Sequence, residues 1–196
     1  GAAGSAHKRG GSGAAMTTKI KTVVLVNGIP ASGKSTVTRQ LSARFSLPVL
    51  TIDGIKEPFM AKFDQIDRLF NRQLGYAAYE VIWSIIRDAP PGCPFLVDAW
   101  FGFQPRETLV DYLEKAGVTR VLEVWNAVSP EVAVARYASR LGERRMGHPG
   151  EEYLPELAVL AAQAEPMALG PVFRLEQGSE IAFAALNAWV EEHLHS

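Results

Sequence analysis

The 196-residue chain carries 20 Lys and Arg against 21 Asp and Glu, a formal net charge of −1, with 47% hydrophobic and 21% charged residues. That balance suits one globular domain with a buried core and argues against long nucleic acid, whose partners usually show a basic excess. A single cysteine, Cys93, excludes an internal disulfide and fits a reducing, cytoplasmic setting, and no apolar run approaches the ~20 residues of a membrane span.

Residues 1–15, GAAGSAHKRGGSGAA, have no apolar h-region. They read as a remnant or flexible tail ahead of Met16 rather than as a signal peptide, with a single domain expected over 16–196. The run TVVLV (22–26) is a strand candidate, followed by NGIPASGKST and a helical pattern over 35–45. Read as G-x-x-x-x-G-K-[ST], the loop is Gly28, Gly33, Lys34 and Ser35, between a strand and a helix as that motif requires. Its glycines let backbone N–H groups, including those of Ala31, Ser32 and Thr36, wrap a β-phosphate at a helix N-terminus. Lys34 reaches the β/γ oxygens and Ser35 offers its hydroxyl to Mg²⁺.

Further strand candidates are PVLTI (48–52), PFLVDA (94–99), RVLEVW (120–125) and VFRLE (172–176). Helical patterns cover about 64–87, 105–116, 130–145, 154–164 and 180–193. Short, nearly continuous apolar runs alternating with helices indicate a doubly wound α/β domain with a parallel sheet.

The phosphate loop alone leaves the fate of the γ-phosphoryl open. No Asn-Lys-x-Asp segment supports a GTPase, and the third strand ends on Asp98 without the consecutive acidic residues usual in larger ATPases. A small phosphotransferase needs an acceptor-side base, a pocket and an Arg-bearing lid. Asp53, just past the second strand in TIDGIKEPF, sits where parallel sheets place their chemistry and suits a base; an N-cap or Asp-Gly turn is its plainer role. Asp98 suits either a Mg²⁺ ligand through water or a contact to the acceptor hydroxyl. Base and metal roles could be exchanged between the two.

Arg136, Arg140 and Arg144 are spaced by four, with Arg145 adjacent, ahead of Gly147-His148-Pro149-Gly150. On one helix face they would close over a triphosphate as a lid, unless they are a solvated surface paired with Glu143, Glu151 and Glu152. Between the second and third strands lie Phe59, Phe63, Phe70, Tyr76, Tyr79 and Trp83. Phe70, Tyr79 and Trp83 are expected in the helix core, whereas Phe59, Phe63 and Trp100 are the pocket candidates. Asp64, Arg68 and Arg72 read as a surface ion ladder, with Arg72 at an anionic acceptor as the alternative. In LEQGSE, Ser179 is the expected N-cap of the last helix.

Together GIPASGKST, Asp53, Asp98 and the Arg-rich segment ending in Gly-His-Pro-Gly resemble the P-loop small-molecule kinases near chloramphenicol phosphotransferase and the zeta toxins. Gluconate, shikimate and polynucleotide 5′-kinases stand further out, and the resemblance covers most of 20–180. It implies a three-layer α/β P-loop NTPase fold with a parallel five-stranded sheet, order 2-3-1-4-5, and an Arg-rich lid. It also implies ATP and Mg²⁺ as cofactors, Asp53 as acceptor base, and Arg140, Arg144 or Arg145 as ATP contacts. GIKEPFM after Asp53 lacks the arginine that polynucleotide kinases use on their acceptor. The expected activity is γ-phosphoryl transfer to a hydroxyl of a small molecule such as an antibiotic, sugar or nucleoside, by a monomer or homodimer. Alternatives are a nucleotide-sugar or 5′-hydroxyl acceptor, or a non-catalytic nucleotide-binding module.

Overall fold

The computed structural model describes residues 19–143, 149–176 and 182–196. Its strands are β1 (Thr22–Asn27), β2 (Val49–Thr51), β3 (Phe95–Ala99), β4 (Arg120–Ala127) and β5 (Val172–Glu176). All pair in parallel in one five-stranded sheet of order β2-β3-β1-β4-β5, as the sequence and the resemblance led us to expect. The helices are α1 (Lys34–Phe45), α2 (Ile52–Met60), α3 (Arg68–Asp88), α4 (Arg106–Lys115), α5 (Pro130–Ser139), α6 (Leu154–Gln163) and α7 (Phe183–Leu194). Among the described residues no helix is long and apolar enough to cross a membrane.

The central strand β1 is buried along its whole length, so alternate side chains feed opposite faces. Val23 and Leu25 meet Tyr79, Ile82, Trp83 and Ile86 of α3 and Leu109 and Leu113 of α4. Val24 and Val26 meet Val37 and Leu41 of α1 and Leu186 and Val190 of α7. A third apolar cluster seats the phosphate-loop residues Ile29 and Ala31 on Ala133 and Tyr137 of α5 and Leu157 of α6.

Two buried charges fix the frame. Lys21 Nζ donates to the carbonyls of Ile86 (2.9 Å), Arg87 (3.2 Å) and Ala116 (3.1 Å), satisfying acceptors at the C-terminal ends of α3 and α4 with a favourable charge. Glu123, fully buried in β4, accepts from Asn27 Nδ2 (2.8 Å) and from the backbone N–H of Met167 (2.9 Å) and Ala168 (2.8 Å). Asn27 in turn accepts from the Phe101 N–H at 3.1 Å. The last residue of β1, directly before the phosphate loop, is thereby locked to the segment after β3.

Several expected boundaries shift. The helix expected over 64–87 begins at Arg68, because Asp67 is its N-cap and accepts from the Phe70 N–H at 2.8 Å. Asp64 therefore precedes the helix, and among the described residues no ion pair joins it to Arg68 or Arg72. The second strand, expected over 48–52, is shorter, Val49–Thr51, and Ile52–Met60, for which no helix was expected, form α2. The arginine-bearing helix ends at Ser139, with Arg140 at its C-cap, so the shared face expected for Arg136, Arg140 and Arg144 does not extend past that point. Arg144, Arg145 and His148, and the expected N-cap Ser179, lie outside the described residues.

Candidate active site

The phosphate loop turns on two left-handed residues, Ala31 at φ 64° and Gly33 at φ 86°. Left-handed residues in a tight turn aim successive N–H groups inward and make an anion-binding concavity. Gly28 is required sterically, since a Cβ there would overlap Ser32 Oγ and stand 3.1 Å from Asn126 Cβ. Ser32 is fully buried, and its hydroxyl has no hydrogen-bond partner among the described residues. Lys34 Nζ lies back over the loop, donating to the carbonyls of Gly28 and Ile29 at 2.8 Å each. Ser35 and Thr36 are exposed in the first turn of α1.

Asp98 is brought alongside by register, lying opposite Val26 of β1 on one side and Thr51 of β2 on the other. Its Oδ2 accepts from Thr38 Oγ1 at 2.8 Å. Burial pushes the Asp98 carboxyl above the usual carboxylate range; Lys34 and the Thr38 bond oppose that shift, and Asp53 adds to it.

Asp53 sits in the first turn of α2, two residues after the N-cap Thr51, which accepts from the Gly54 N–H at 2.8 Å. Neither an N-cap nor a turn residue, it is a carboxylate at a helix N-terminus, where negative charge is favoured. Its side chain is 63% exposed and its Oδ1 stands 3.5 Å from Lys56 Nζ.

These groups open onto one cavity of about 470 Å³. Of the residues singled out from sequence, Ala31, Ser32, Gly33, Lys34, Ser35, Asp53, Arg72, Asp98, Trp100 and Arg140 line it. Gly28, Thr36, Phe59, Phe63 and Arg136 do not. Phe59 and Phe63 are surface residues, 54% and 49% exposed, and Phe63 packs edge-on against Phe70. Phe70 is only half-buried, whereas Tyr79 and Trp83 are buried core residues. Arg136 keeps a buried Nη1 without a partner among the described residues.

Sequence reasoning missed Lys56 and Asn71 and placed Tyr76 only among the aromatics; all three line the cavity, as do Phe103, Tyr137 and Tyr153. The signal for Lys56 was its i+3 spacing from Asp53, meaningful once Thr51 is seen as an N-cap. Tyr137 on α5 donates through its hydroxyl to the Pro149 carbonyl at 2.6 Å, tying the end of the arginine-bearing segment to the cavity wall.

Magnesium fits this donor set. Ser35 and Asp98 offer oxygen ligands at the foot of a phosphate cradle, and Mg²⁺ is commonly held by one or two protein oxygens with phosphates and water completing the shell.

No family model matches the chain, and no curated protein matches it. Among solved structures, a candidate kinase from Chloroflexus aurantiacus is similar over 89% of this chain and 98% of its own, with TM-score 0.73 and 24% identity. Shikimate kinase from Acinetobacter baumannii, in complex with shikimate, matches over 90% of this chain and 94% of its own, with TM-score 0.59 and 15% identity. An unliganded sugar kinase from Janibacter sp. HTCC2649 matches over 90% and 95%, with TM-score 0.55 and 16% identity. None of the three carries the name of a chloramphenicol phosphotransferase or a zeta toxin. At these identities the likeness is one of fold, and the chain shares the α/β architecture and strand order of P-loop kinases.

Proposed function

We propose that the protein is an ATP- and Mg²⁺-dependent phosphotransferase that moves the γ-phosphoryl group to a hydroxyl of a small molecule. The observation that carries this reading is that the phosphate loop, Asp98 and Asp53 line one cavity. An exposed carboxylate on α2 that lines the same cavity as the phosphate loop is suited to take the proton of an acceptor hydroxyl. The likeness in fold to proteins described as kinases, and the resemblance to the chloramphenicol phosphotransferase and zeta toxin group, point the same way.

In this reading the phosphate-loop N–H groups and Lys34 bind the β- and γ-phosphates. Lys34 exchanges its present carbonyl partners for phosphate oxygens. Arg140, at the C-cap of α5, adds positive charge to the cavity lining. Bound Mg²⁺, held by Ser35 and Asp98, supplies neutralisation of phosphate charge. Asp53 accepts the acceptor's hydroxyl proton as the new O–P bond forms; the bond to the β,γ-bridging oxygen breaks and ADP leaves. The surroundings of the two carboxyls support giving the base role to Asp53 and the metal role to Asp98. Asp98 is held by Thr38 beside Lys34, at the phosphate end, while Asp53 is open to solvent on the acceptor side.

The test is ADP release with Mg·ATP across sugars, amino sugars, nucleosides, hydroxylated antibiotics, hydroxy acids and a short 5′-hydroxyl oligonucleotide. Acceptor-dependent release abolished by Lys34→Ala is the expected result. ATP binding with no acceptor-dependent release across the panel would favour a non-catalytic nucleotide-binding module.

A further inference from the structure

Beyond the phosphate loop, the cavity wall carries more positive charge than a neutral alcohol requires. Lys56 on α2 is buried, with only 10% of its side chain exposed, and its Nζ stands 2.9 Å from Asn71 Oδ1 and 3.5 Å from Asp53 Oδ1. Arg72, the next residue on α3 after Asn71, lines the same cavity and has no hydrogen bond or ion pair among the described residues. Lys34 acts on Asp98 beside the phosphate loop, and Arg140 lines the same cavity. Where α2 and α3 line the cavity they bring two cations, Lys56 and Arg72, against the single carboxylate of Asp53.

We infer that the acceptor is an alcohol that also carries an anionic group, a carboxylate or a phosphate, and that Lys56 and Arg72 bind that group while Asp53 takes the hydroxyl. This inference rests on the phosphotransferase reading and narrows its substrate class.

A purely structural pin between α2 and α3 is the competing role for Lys56. Burying an ammonium carries a desolvation cost of several kcal/mol unless it is well paired. A neutral amide would bond Asn71 without that cost, and the 3.5 Å approach to a largely exposed Asp53 is a weak pairing. An ammonium held in a cavity wall with donor capacity to spare is suited to an incoming anion. Arg72 adds a planar fork whose geometry matches a carboxylate or phosphate edge. Tyr76, one turn along α3 from Arg72, and Trp100, after β3, supply flat walls for the carbon skeleton between the two ends.

The test separates anion binding from turnover. The full chain is saturated with Mg²⁺ and the β,γ-imido analogue of ATP, so that the phosphate loop is filled. Shikimate, gluconate, glycerol 3-phosphate and inorganic phosphate are then titrated beside shikimic amide, gluconamide and glycerol, with ligand-observed NMR and thermal shift as readouts. At least one anion should bind about tenfold or more tighter than its neutral counterpart, the weight of one charge-assisted hydrogen bond. The carboxylate and phosphate arms show which group the site takes. Lys56→Gln, which keeps a donor for Asn71, and Arg72→Gln should each cost about tenfold of that binding while analogue affinity stays within about twofold. Retained analogue affinity also reports that the variants fold. Equal binding of neutral and anionic probes, anion binding unchanged in both variants, or no anion bound by the saturated wild type would each overturn the inference. Absence of acceptor-dependent ADP release with selective anion binding intact would instead count against the phosphotransferase reading.

Discussion

Thr38 Oγ1 donates a 2.8 Å hydrogen bond to Asp98 Oδ2, joining the helix that follows the phosphate loop to the C-terminal end of β3. The bond holds a carboxyl whose ionisation is opposed by burial, so ionising Asp98 in the folded protein costs stability. Stability lost at a site of chemistry is a common sign that the group is retained for function.

Asp98→Asn tests that trade. The folded-state value of Asp98 lies above its unfolded one, so the folded protein binds the extra proton and this group's contribution falls as pH rises between the two. The wild type therefore gains from Asp98 protonation on acidification towards the ordinary carboxylate range, whereas Asp98→Asn removes that pH dependence. At neutral pH the variant should melt higher, by roughly 2–4 °C if about 1 kcal/mol is recovered in a domain of this size. Mg²⁺-dependent turnover should fall by at least about a hundredfold, the weight of several kcal/mol of lost electrostatic stabilisation. Thermal melts at pH 5 and pH 7.5, with and without the substitution, give the stability half of the answer; a lower melting point at pH 7.5 would show Asp98 to be a structural charge.

Lys21→Met provides the opposite control. It leaves the carbonyls of Ile86, Arg87 and Ala116 without their shared donor at the closed end of the sheet, far from the cavity. The expected cost is about 2–3 kcal/mol in urea unfolding, with affinity for the ATP analogue unchanged. A loss of nucleotide affinity in the folded variant would mean that this end of the sheet is coupled to the phosphate loop.

Gly102→Ala probes the acceptor wall. A Cβ at position 102 would overlap the indole of Trp100, which packs at 6.2 Å centroid distance on Trp125 and lines the cavity. The ring must move, at about 1–3 kcal/mol for an overpacked site. KM for the acceptor should rise by more than the affinity for Mg·ATP falls, although Trp100 also packs on the cluster that seats Ile29 and Ala31 of the phosphate loop. Parallel loss of ATP affinity would place Trp100 against the nucleotide instead.

The alternation of apolar runs and helical patterns was enough to give a parallel α/β sheet, because strands buried on both faces, such as Val23-Val24-Leu25-Val26, need no periodicity to be seen. The phosphate loop was legible for a different reason: its glycines, lysine and hydroxyl are adjacent in the chain and their spacing is itself the mechanism. The acceptor side was less legible. Lys56, Arg72 and Tyr76 meet only after α2 and α3 pack together, a tertiary fact that no local pattern encodes. Phe59 and Phe63 drew attention as aromatics near a strand end, but α2 begins directly at Ile52 and carries Phe59 on its surface, and Phe63, just past its end, is exposed too. Glu123 was invisible because a lone Glu in an apolar strand acquires meaning only through Asn27, Met167 and Ala168.

Asp53→Asn measures the central claim most directly, because the amide keeps size and helix position while removing the proton acceptor. With a productive acceptor from the panel, Mg·ATP affinity should stay within about twofold and acceptor-dependent ADP release should fall by roughly 10²–10⁴-fold, the range for loss of a general base. Turnover within a few-fold of wild type at unchanged ATP affinity would contradict the account, and would move the base to Asp98 or remove the need for one.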